Sequence, residues 1–520
     1  MDFSKIDLSD NQDLAREIIL KAANENFKTR REFEKFRNAI VKRRKAVIFH
    51  NLYFIKAYND LLAEGRIAAN PELLGLIQKR SVRTMSGVAP VTVMTKPFPC
   101  PGRCVYCPTD VRMPKSYLPS QPAAQRAFRQ RFNPYTQVFV RLKAMMMTGH
   151  EISKVELRII GGTFSAYARR YQKWFIKQCL LAMNEFNLQM LDEKVQDMGN
   201  ITVTQDVESA YGVDTVNTVI MKPLAKGNLS WEEVVKDNET ALVRCIGMNI
   251  ETRPDEICEE EVRWLRELGV TKVEMGVQTT DDRVQELTKR GHTLEDVRRA
   301  TAFLKDAGFK IGYHMMPNLP GSTPEYDKKM VAELFADDKY QPDYLKIYPC
   351  VVVPKTQLAA DFKRGDYKPY SDKVLEKVLL EELKSVPYWC RVDRIARDIP
   401  ANEVDFGFKA SNIRQVLEAE LKKQGIPSRD IRSREIAGEK AEKVDLVVRK
   451  YAASGGEELF ISYEDLKRDK LLGLLRLRFP RKTFIKELKG AALIREVHVY
   501  GKQIAVGVKG NTNKIGRAHV

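Results

Sequence analysis

The segment VTVMTKPFPCPGRCVYCP, residues 91–108, runs from a β-type stretch directly into three cysteines with C-x3-C-x2-C spacing. Cys100, Cys104 and Cys107 are three of only eight cysteines in 520 residues. A structural zinc site normally takes four protein ligands, often as two separate cysteine pairs, and no second pair occurs here. A [4Fe–4S] cluster held by three cysteines leaves one iron open, and S-adenosylmethionine (SAM) fills that position in radical enzymes. The spacing predicts such a cluster, with a zinc knuckle that borrows a distant histidine as the alternative.

Length and composition predict a soluble globular protein of two or three domains. Hydrophobic residues make up 43% of the chain, yet no apolar run approaches the length of a membrane span, so no membrane partner is expected. The N-terminus lacks the apolar core of a secretory signal. The other five cysteines are scattered singly, which favours a reducing cytoplasm over a disulfide framework.

The net charge of +18 favours a polyanionic partner, although a merely soluble basic surface would give the same balance. The basic residues are clustered, which argues for the partner. Residues 28–45, KTRREFEKFRNAIVKRRK, hold nine basic residues against Glu32 and Glu34. This clustering predicts nucleic-acid binding.

Strands that alternate with amphipathic helices predict an α/β fold of parallel βα units, closed or partly closed into a barrel over residues 76–395. The predicted strands are VTVMTKP (91–97), KVELRIIGG (154–162), RCIGMNIETR (244–253), KVEMGVQ (272–278), FKIGYHMM (309–316) and YLKIYPCVV (344–352). A polar, irregular segment of about 186–240 reads as an insertion.

The two ends of the chain have other patterns. Residues 1–75 have helical periodicity, and Asn70-Pro71 breaks it. Residues 396–443 are predicted to be a connector, charged over 427–443. The C-terminal residues 444–520 are predicted to form a smaller α+β domain with strands VDLVVRKYAAS (444–454), EELFISYED (457–465), LLGLLRLRFP (471–480) and ALIREVHVYG (492–501).

Residues suited to a ligand follow several predicted barrel strands, where barrels collect their active sites. These residues are Gly161, Gly162, Glu251, Arg253, Gln278 and His314. The glycine pair would let the amino-acid part of SAM approach the backbone. Glu251 and Arg253 could hold ribose hydroxyls and a carboxylate, and Gln278 and His314 are candidate catalytic residues. Each feature alone has a plainer explanation as a turn or a surface ion pair, but together they predict one site.

The chain resembles the catalytic subunit of the Elongator complex in its single-chain bacterial and archaeal form. The resemblance rests on the cysteine loop followed in order by GGTF, IETRPD, VEMGVQ, KRGHT, HMMPNLPG, DYLKIYP, RIARDIP and REVHVYG, and it covers about residues 75–508. It implies a radical-SAM domain fused to a GNAT-type, acetyltransferase-like domain. The family makes 5-carboxymethyluridine at the tRNA wobble position. Acetyl-CoA supplies two carbons, and the 5′-deoxyadenosyl radical from SAM activates the acetyl methyl group.

The resemblance also implies roles for residues. Cys100, Cys104 and Cys107 match the cluster ligands, and Lys154 matches a lysine that contacts acetyl-CoA. The strand along which acetyl-CoA lies is matched by Glu496, Val497, His498 and Val499. The cluster would need an electron donor. The motif KRGHT (289–293) is either a turn between helices or part of the site near the substrate.

The basic N-terminal region is predicted to contact the tRNA backbone, which positions the RNA without reading its sequence. The predicted contacts are Lys28, Arg30, Arg31, Lys42, Arg43, Arg44, Lys79, Arg80 and Arg83. The wobble base would be splayed from the anticodon loop into a pocket. A homodimer and a requirement for partner subunits both stay open.

Two features depart from the family pattern. A glycine-rich loop, QH-x-G-x-G, normally follows the HVYG strand and binds the pyrophosphate of CoA, whereas this chain reads KGNTNKIGRAHV. We therefore expect a truncated acetyltransferase-like domain with poor affinity for acetyl-CoA, and an artificial origin for KIGRAHV rather than a divergent natural tail. Ser428 and Ser433 stand about where many relatives have cysteines, so a zinc site there is not expected.

Other functions compete with tRNA carboxymethylation. A methylthiolating radical-SAM enzyme would carry extra cysteines for a second cluster, which this chain lacks. A protein-lysine acetyltransferase is suggested by the second domain but weakened by the absent phosphate loop. A non-catalytic tRNA-binding scaffold is the third alternative.

Overall fold

The structure is a computed structural model that describes residues 11–46, 51–78, 86–187, 201–205, 217–221, 229–407, 412–437 and 439–500. The helices are α1 Gln12–Ala22, α2 Arg30–Arg43, α3 Asn51–Ala63, α4 Pro71–Ile77, α5 Pro122–Arg129, α6 Pro134–Met147, α7 Arg169–Asn184, α8 Trp231–Thr240, α9 Glu259–Glu267, α10 Asp282–Leu287, α11 Leu294–Asp306, α12 Pro324–Ala336, α13 Gln357–Arg364, α14 Asp372–Lys384, α15 Ile413–Lys423 and α16 Ile431–Arg434. The strands are β1 Ala89–Met94, β2 Lys154–Ile160, β3 Ile201–Gln205, β4 Asn217–Met221, β5 Arg244–Thr252, β6 Lys272–Gln278, β7 Lys310–Met315, β8 Tyr344–Ile347, β9 Arg391–Ile395, β10 Asp445–Ala453, β11 Gly456–Asp465, β12 Lys470–Phe479 and β13 Leu493–Val499. None of the described helices is long and apolar enough to cross a bilayer.

Seven strands form a curled parallel half-barrel in the order β1-β2-β5-β6-β7-β8-β9. This confirms the predicted α/β fold and its partial closure. The six predicted barrel strands are all present, and β6 has the predicted bounds. Sequence reasoning missed β9, because its sequence RVDRI is mostly charged.

Charged residues can lie inside the half-barrel because they pair with one another there. All seven residues of β6 are buried, including Lys272 and Glu274, whose side chains form an ion pair of 3.2 Å. In the parallel register Glu274 lies beside Gly312 of β7, and Gln278 lies beside Met315. The carboxyl ends of these strands therefore share one edge, where a barrel carries its site.

The chain divides into two compact units, of which the first comprises Met1–Val91, Arg129–Glu156 and Ile176–Ile246. Helices α1 to α4 of this unit bury apolar faces in one core. The predicted break at Asn70-Pro71 begins a helix instead. Pro71 is the first residue of α4, and the Asn70 side chain caps it by accepting a hydrogen bond from the Leu73 amide.

The segment predicted to be irregular, 186–240, contains regular structure in its described parts. Strands β3 and β4 pair as antiparallel strands from Ile201 with Met221 to Gln205 with Asn217. Helix α8 follows, and a capping box between Ser230 and Glu233 fixes its start. The prediction of an irregular segment was therefore wrong for these residues, because their polar composition concealed the capping signal.

The second compact unit comprises Thr92–Phe128, Leu157–Phe175 and Gly247–Val520. Its C-terminal part is a four-stranded antiparallel sheet in the order β10-β11-β12-β13, which matches the four predicted strands. One face of this sheet carries buried charged side chains such as Glu458, Arg478 and Arg495. The C-terminal sheet therefore belongs to the same compact unit as most of the half-barrel.

Ion pairs hold the charged face of the C-terminal sheet to barrel residues. Arg478 donates to Asp306 at the end of α11, with its Nε 2.8 Å from the Asp306 carboxylate. Arg495 pairs with Asp343, which directly precedes β8, at 2.7 Å. Buried charges are tolerated when each has a partner, so this interface depends on complete pairing.

The connector predicted at 396–443 has paired charges in its described part. Asp430 is buried and accepts from Arg414 at 2.8 Å, and Ser428 and Ser433 both donate to its carboxylate. These two serines thus take part in a hydrogen-bond network. The predicted truncation of the C-terminal domain concerns residues 501–520, which lie outside the described residues.

Candidate active site

The cysteine loop lies between β1 and α5 and is held by backbone hydrogen bonds on both sides. The Val105 amide donates to the carbonyl of Thr288 at 3.1 Å, and the Val105 carbonyl accepts from the Leu358 amide at 2.9 Å. All three cysteines are free thiols, and burial together with Cys104 raises the pKa of Cys107 to about 11. Two distant segments thus fix the loop that carries the predicted metal ligands.

The number of thiols in the loop tests which metal group fits. Three free thiols, Cys100, Cys104 and Cys107, stand in this one loop, whereas a structural zinc site normally takes four protein ligands. A four-iron cluster takes one thiolate per iron, so three cysteines leave one iron open for another ligand. The set of donors therefore suits an iron–sulfur cluster with an open iron.

A buried arginine from the KRGHT motif reaches this loop. Arg290 Nη1 lies 3.4 Å from Cys104 Sγ, while its Nε and Nη2 donate to the Gly276 carbonyl at 3.2 and 2.7 Å. The motif follows α10 and precedes α11, so it is a turn and also part of the site. Sequence reasoning left these two possibilities open.

The glycine pair after β2 packs against the end of β1. Gly161 has φ +136°, and a Cβ there would lie 2.0 Å from Thr95 Oγ1, so this position excludes other residues. Gly162 has φ +94° and faces the Lys115 carbonyl. The next residue, Thr163, has its hydroxyl 3.3 Å from Cys100 Sγ. The GGTF motif therefore borders the cysteine loop, as predicted for a shared site.

Arg253 is buried beside the cysteine loop, which excludes the surface ion pair considered above. It is 2% exposed and pairs with Asp255 at 2.8 Å, not with Glu251. Its Nη1 has no hydrogen-bond partner in the described part of the chain and would lie 2.2 Å from a Cβ at Gly102. A buried unpartnered guanidinium nitrogen suits an anionic ligand group.

The barrel lumen holds a charged cluster around Glu274. Lys346 of β8 contacts Glu274 closely and lies 3.7 Å from Glu251, and His314 Nε2 lies 3.0 Å from Glu274. Burial would raise the pKa of Glu274, but Lys346 and Lys272 hold it well below its usual range. Burial lowers the pKa of His314, which favours neutral imidazole.

The carboxylates of Glu251 and Glu274 and the ring of His314 lie close enough together to hold a cation. The Lys346 ammonium already contacts both carboxylates. The protein therefore supplies the positive charge here itself, and the cluster requires no metal ion to balance it. Tyr117 completes the group by donating its hydroxyl to Glu251 at 2.7 Å.

Gln278 ends β6 in the left-handed conformation, with φ +75° and a buried side chain. Its Oε1 has no hydrogen-bond partner among the described residues. This conformation is uncommon for a residue other than glycine and directs the chain out of the sheet at the site edge. The structure thus places Gln278 at the predicted position and leaves its acceptor atom available.

The residues predicted to bind acetyl-CoA lie on strands β2 and β13 and not in the cysteine loop. Lys154 begins β2 and is half-buried. On β13 the Glu496 side chain accepts hydrogen bonds from Tyr344 and from Arg476 Nε, the latter at 2.8 Å. Both hydrogen bonds hold the carboxylate within the protein, and Arg476 lowers the pKa of Glu496 to about 2 against the effect of burial.

The other three residues predicted on β13 are more exposed than Glu496. Val497 is 38% exposed and lies on the opposite face of the sheet, while His498 and Val499 are half-buried. The backbone of these three residues stays a predicted contact for acetyl-CoA.

The predicted tRNA contacts divide into described and undescribed residues. Those on or beside α2 are all exposed, namely Lys28, Arg30, Arg31, Lys42, Arg43 and Arg44. Arg30 pairs with Glu34, and Arg44 pairs with Glu17. Lys79, Arg80 and Arg83 lie outside the described residues.

Several site residues escaped sequence reasoning, namely Arg290, Glu274, Lys346, Lys272 and Tyr117. A signal existed for two of them, because Lys272 and Glu274 are charged residues in a strand that is otherwise apolar. Cys104 is 186 positions from Arg290, and Glu251 is 134 positions from Tyr117, so no local pattern could identify these two contacts.

The chain matches the Radical SAM superfamily over residues 99–334 and the Radical_SAM C-terminal domain over residues 342–423. The half-barrel and its three-cysteine loop define the class: this is a radical SAM protein.

Relatives narrow this class to one family. The tRNA uridine(34) acetyltransferase of Methanocaldococcus jannaschii is 41% identical over 446 residues, which cover 83% of this chain and 75% of the relative. Elongator complex protein 3 of Homo sapiens is 35% identical over 459 residues, covering 85% and 77%. The solved structure of archaeal Methanocaldococcus infernus Elp3 with an N-terminal deletion is 37% identical, with a TM-score of 0.65 over 81% of this chain and 85% of that one. The chain belongs to the Elongator complex protein 3 family.

Proposed function

We propose that this protein modifies carbon 5 of the wobble uridine of tRNA, with an iron–sulfur cluster and SAM as its cofactors. The observation that carries the proposal is the loop of three free cysteines, Cys100, Cys104 and Cys107, with Arg290 against Cys104 and Thr163 against Cys100. Relatives named tRNA uridine(34) acetyltransferase support the substrate, since the match extends over most of both chains.

The product in this proposal is 5-carboxymethyluridine: a methyl hydrogen of acetyl-CoA and the hydrogen at carbon 5 of uracil are lost as the new C–C bond forms, and water then hydrolyses the thioester and releases CoA. When bound, the cluster and SAM supply a primary carbon radical that can abstract hydrogen from the acetyl methyl group. The three cysteines hold the cluster, and Arg253, whose Nη1 is buried without a partner, receives the carboxylate of SAM. Glu251, oriented by the Tyr117 hydroxyl, accepts from the ribose.

The lumen cluster would face the reacting groups. Glu274 is ionised and accepts a hydrogen bond, so it selects the His314 tautomer that carries its proton on Nε2. His314 Nδ1 is then left as a hydrogen-bond acceptor. Lys346 is held by Glu274 and offers a positive charge that can bind a carbonyl oxygen.

Two further surfaces complete the proposal. The exposed basic side chains of α2 bind the tRNA backbone, because clustered arginines and lysines replace condensed counterions. The backbone of Val497, His498 and Val499 and the side chain of Lys154 bind acetyl-CoA. A separate protein reductant would supply the electron for the cluster.

The proposal is tested by anaerobic incubation of the reconstituted protein with tRNA, SAM, dithionite and acetyl-CoA labelled in the acetyl group. Mass analysis of the digested tRNA should show a carboxymethyl group with the label at the wobble uridine. A matched control is Cys258→Ala, which removes an exposed cysteine outside the loop and should leave the product unchanged. Cys104→Ala should abolish it.

Other outcomes separate the alternatives. Cleavage of SAM with a different nucleoside product would keep the radical chemistry and overturn the carboxymethyl assignment. Binding of tRNA without any SAM cleavage would support a non-catalytic scaffold and contradict the proposal.

A further inference from the structure

We infer that Arg290 sets the reduction potential of the iron–sulfur cluster held by the three cysteines. The inference rests on the proposed cluster and concerns a residue of the KRGHT motif that lies between two helices. Arg290 is a positioning and tuning residue in this account, because it contacts a predicted cluster ligand and not the substrate.

The first observation is the fixed geometry of the guanidinium group. Its Nη1 lies 3.4 Å from Cys104 Sγ, and its Nε and Nη2 both donate to the carbonyl of Gly276. This forked contact fixes the plane of the group, so that the remaining donor is directed at the sulfur atom. Hydrogen bonds to ligand sulfur atoms are among the factors that set cluster potentials.

The second observation concerns charge. Arg290 is 7% exposed, and in the described part of the chain no carboxylate lies within ion-pair distance of it. Arg253, which also borders the loop, differs because Asp255 compensates its charge. A buried cation needs an anionic partner, and the ionisable groups that act on Arg290 belong to the cysteine loop: Tyr106, Cys104 and Cys100, of which Cys104 Sγ is in hydrogen-bond contact.

The third observation is the space made for this arginine. A Cβ at Gly276 would lie 2.5 Å from Arg290 Nη2 and 2.6 Å from Gln278 Nε2. Gly276 has a strand conformation and no positive φ, so its lack of a side chain serves packing and not backbone freedom. The β6 strand is therefore shaped to admit the arginine next to Cys104.

The direction of the effect follows from the charges. Reduction adds one electron from the donor to the cluster and makes or breaks no bond, so the reduced cluster carries one more negative charge. A buried cation that donates to a ligand sulfur stabilises the reduced form more than the oxidised form. Arg290 therefore raises the reduction potential, and its removal should make the cluster harder to reduce.

The test compares Arg290→Lys, Arg290→Gln and Arg290→Met with the unsubstituted protein. Each full-length protein is reconstituted with iron and sulfide without oxygen, its iron content is measured, and the cluster is titrated with dithionite and followed by EPR. Arg299→Gln, on the exposed face of α11, is the control for loss of an arginine. At a fixed potential, Arg290→Met should lower the ratio of reduced to oxidised cluster at least tenfold, about 59 mV for one electron.

The other variants separate charge from hydrogen bonding. Arg290→Lys keeps the charge and should shift the potential less than Arg290→Met does. Arg290→Gln keeps a donor without the charge and should resemble Arg290→Met if charge dominates. Arg299→Gln should keep the original potential.

Several results would overturn the inference. A potential for Arg290→Met equal to that of the unsubstituted protein, with the cluster bound, would contradict it while leaving the proposed function intact. Loss of the cluster from all three Arg290 variants would also overturn it, because Arg290 would then be needed to assemble the loop. Failure of the unsubstituted protein to bind iron would instead contradict the proposed function.

Discussion

Gly161 cannot carry a side chain, because Thr95 occupies the space that a Cβ would need. The distance from that Cβ to Thr95 Oγ1 would be 2.0 Å, and the Thr95 hydroxyl also contacts Tyr167 at 2.8 Å. The residue thus joins the ends of β1 and β2 directly beside the cysteine loop. A glycine first interpreted as room for a ligand is also required for the packing of the protein.

The change Gly161→Ala should therefore lower the free energy of unfolding by roughly 3 kcal/mol or more, since it adds steric overlap to backbone strain. The matched control is Gly269→Ala, where φ is +80° but nothing lies within 4 Å of the added Cβ. That change should cost about 1–2 kcal/mol from backbone strain alone. Denaturant unfolding measures both, and equal costs would contradict the packing argument.

His292 is buried next to two cations, so the stability of the folded protein is predicted to depend on pH. Burial, Arg290 and Arg253 lower the pKa of His292 from 6.5 to about 3 in the folded protein. Below pH 6.5 the His292 imidazole binds a proton in the unfolded chain but not in the folded chain. The free energy of unfolding should therefore fall as the pH drops below 6.5. Through His292, lowering the pH from 7 to 5 should reduce the free energy of unfolding by about 2 kcal/mol.

The variant His292→Gln should lose that part of the acid sensitivity. The measurement is the difference in unfolding free energy between pH 7 and pH 5, compared with the same difference for His498→Gln on β13. His498→Gln should retain the full loss. An acid-induced loss in His292→Gln as large as in the unsubstituted protein would show that His292 is protonated normally.

The three cysteines could be recognised as candidate ligands because their spacing is local, whereas their surroundings in the folded protein could not be predicted. Arg290 and Cys104 are separated by 186 positions, and only the fold brings them together. The same holds for Lys346 with Glu274 in the lumen. The sequence also placed Glu496 on the strand predicted to lie along acetyl-CoA, but it could not show that Tyr344 and Arg476 bind the Glu496 carboxylate in the folded protein.

At the level of elements, alternation of strands and helices predicted the half-barrel, since buried parallel strands are apolar and short. Strand β9 escaped because it contains Arg391, Asp393 and Arg394, whose charges have partners in the folded chain. The C-terminal strands were recognised, but their packing was not. Their buried face carries charges that pair with barrel residues, which no pattern of hydrophobicity indicates.

This paired interface should be sensitive to loss of one partner. Arg478→Met leaves Asp306 without its cation and removes one of the three cations that pair with Glu458, so it should cost about 3–5 kcal/mol of unfolding free energy. Lys467→Met, at an exposed pair with Glu442, should cost at most about 1 kcal/mol. Adding Asp306→Asn to Arg478→Met should recover part of the loss. Strict additivity of these two changes would contradict the direct coupling.

At the scale of the whole molecule, the net charge of +18 raises the question of which basic residues bind tRNA. If the exposed side chains of α2 bind tRNA phosphates, replacing Arg30, Arg31, Lys42 and Arg43 with Gln should weaken tRNA binding roughly tenfold or more. The dependence of log affinity on log salt should flatten by up to about 3, since each phosphate contact contributes about 0.7–0.9.

A matched control removes four exposed lysines elsewhere, Lys363, Lys368, Lys373 and Lys377, and lowers the net charge equally. This variant should keep the original salt dependence. Equal weakening by both sets would mean that total charge, and not the α2 surface, determines binding.

The central claim is that three cysteines hold a cluster with an open iron where SAM is cleaved. The most direct measurement is the amount of 5′-deoxyadenosine formed by the anaerobically reconstituted protein with SAM and dithionite. The account predicts its formation by the unsubstituted protein and by Cys258→Ala, and none by Cys100→Ala, Cys104→Ala or Cys107→Ala. Undiminished 5′-deoxyadenosine from any of these three variants, or tetrahedral zinc bound at the loop in protein prepared without oxygen, would contradict it.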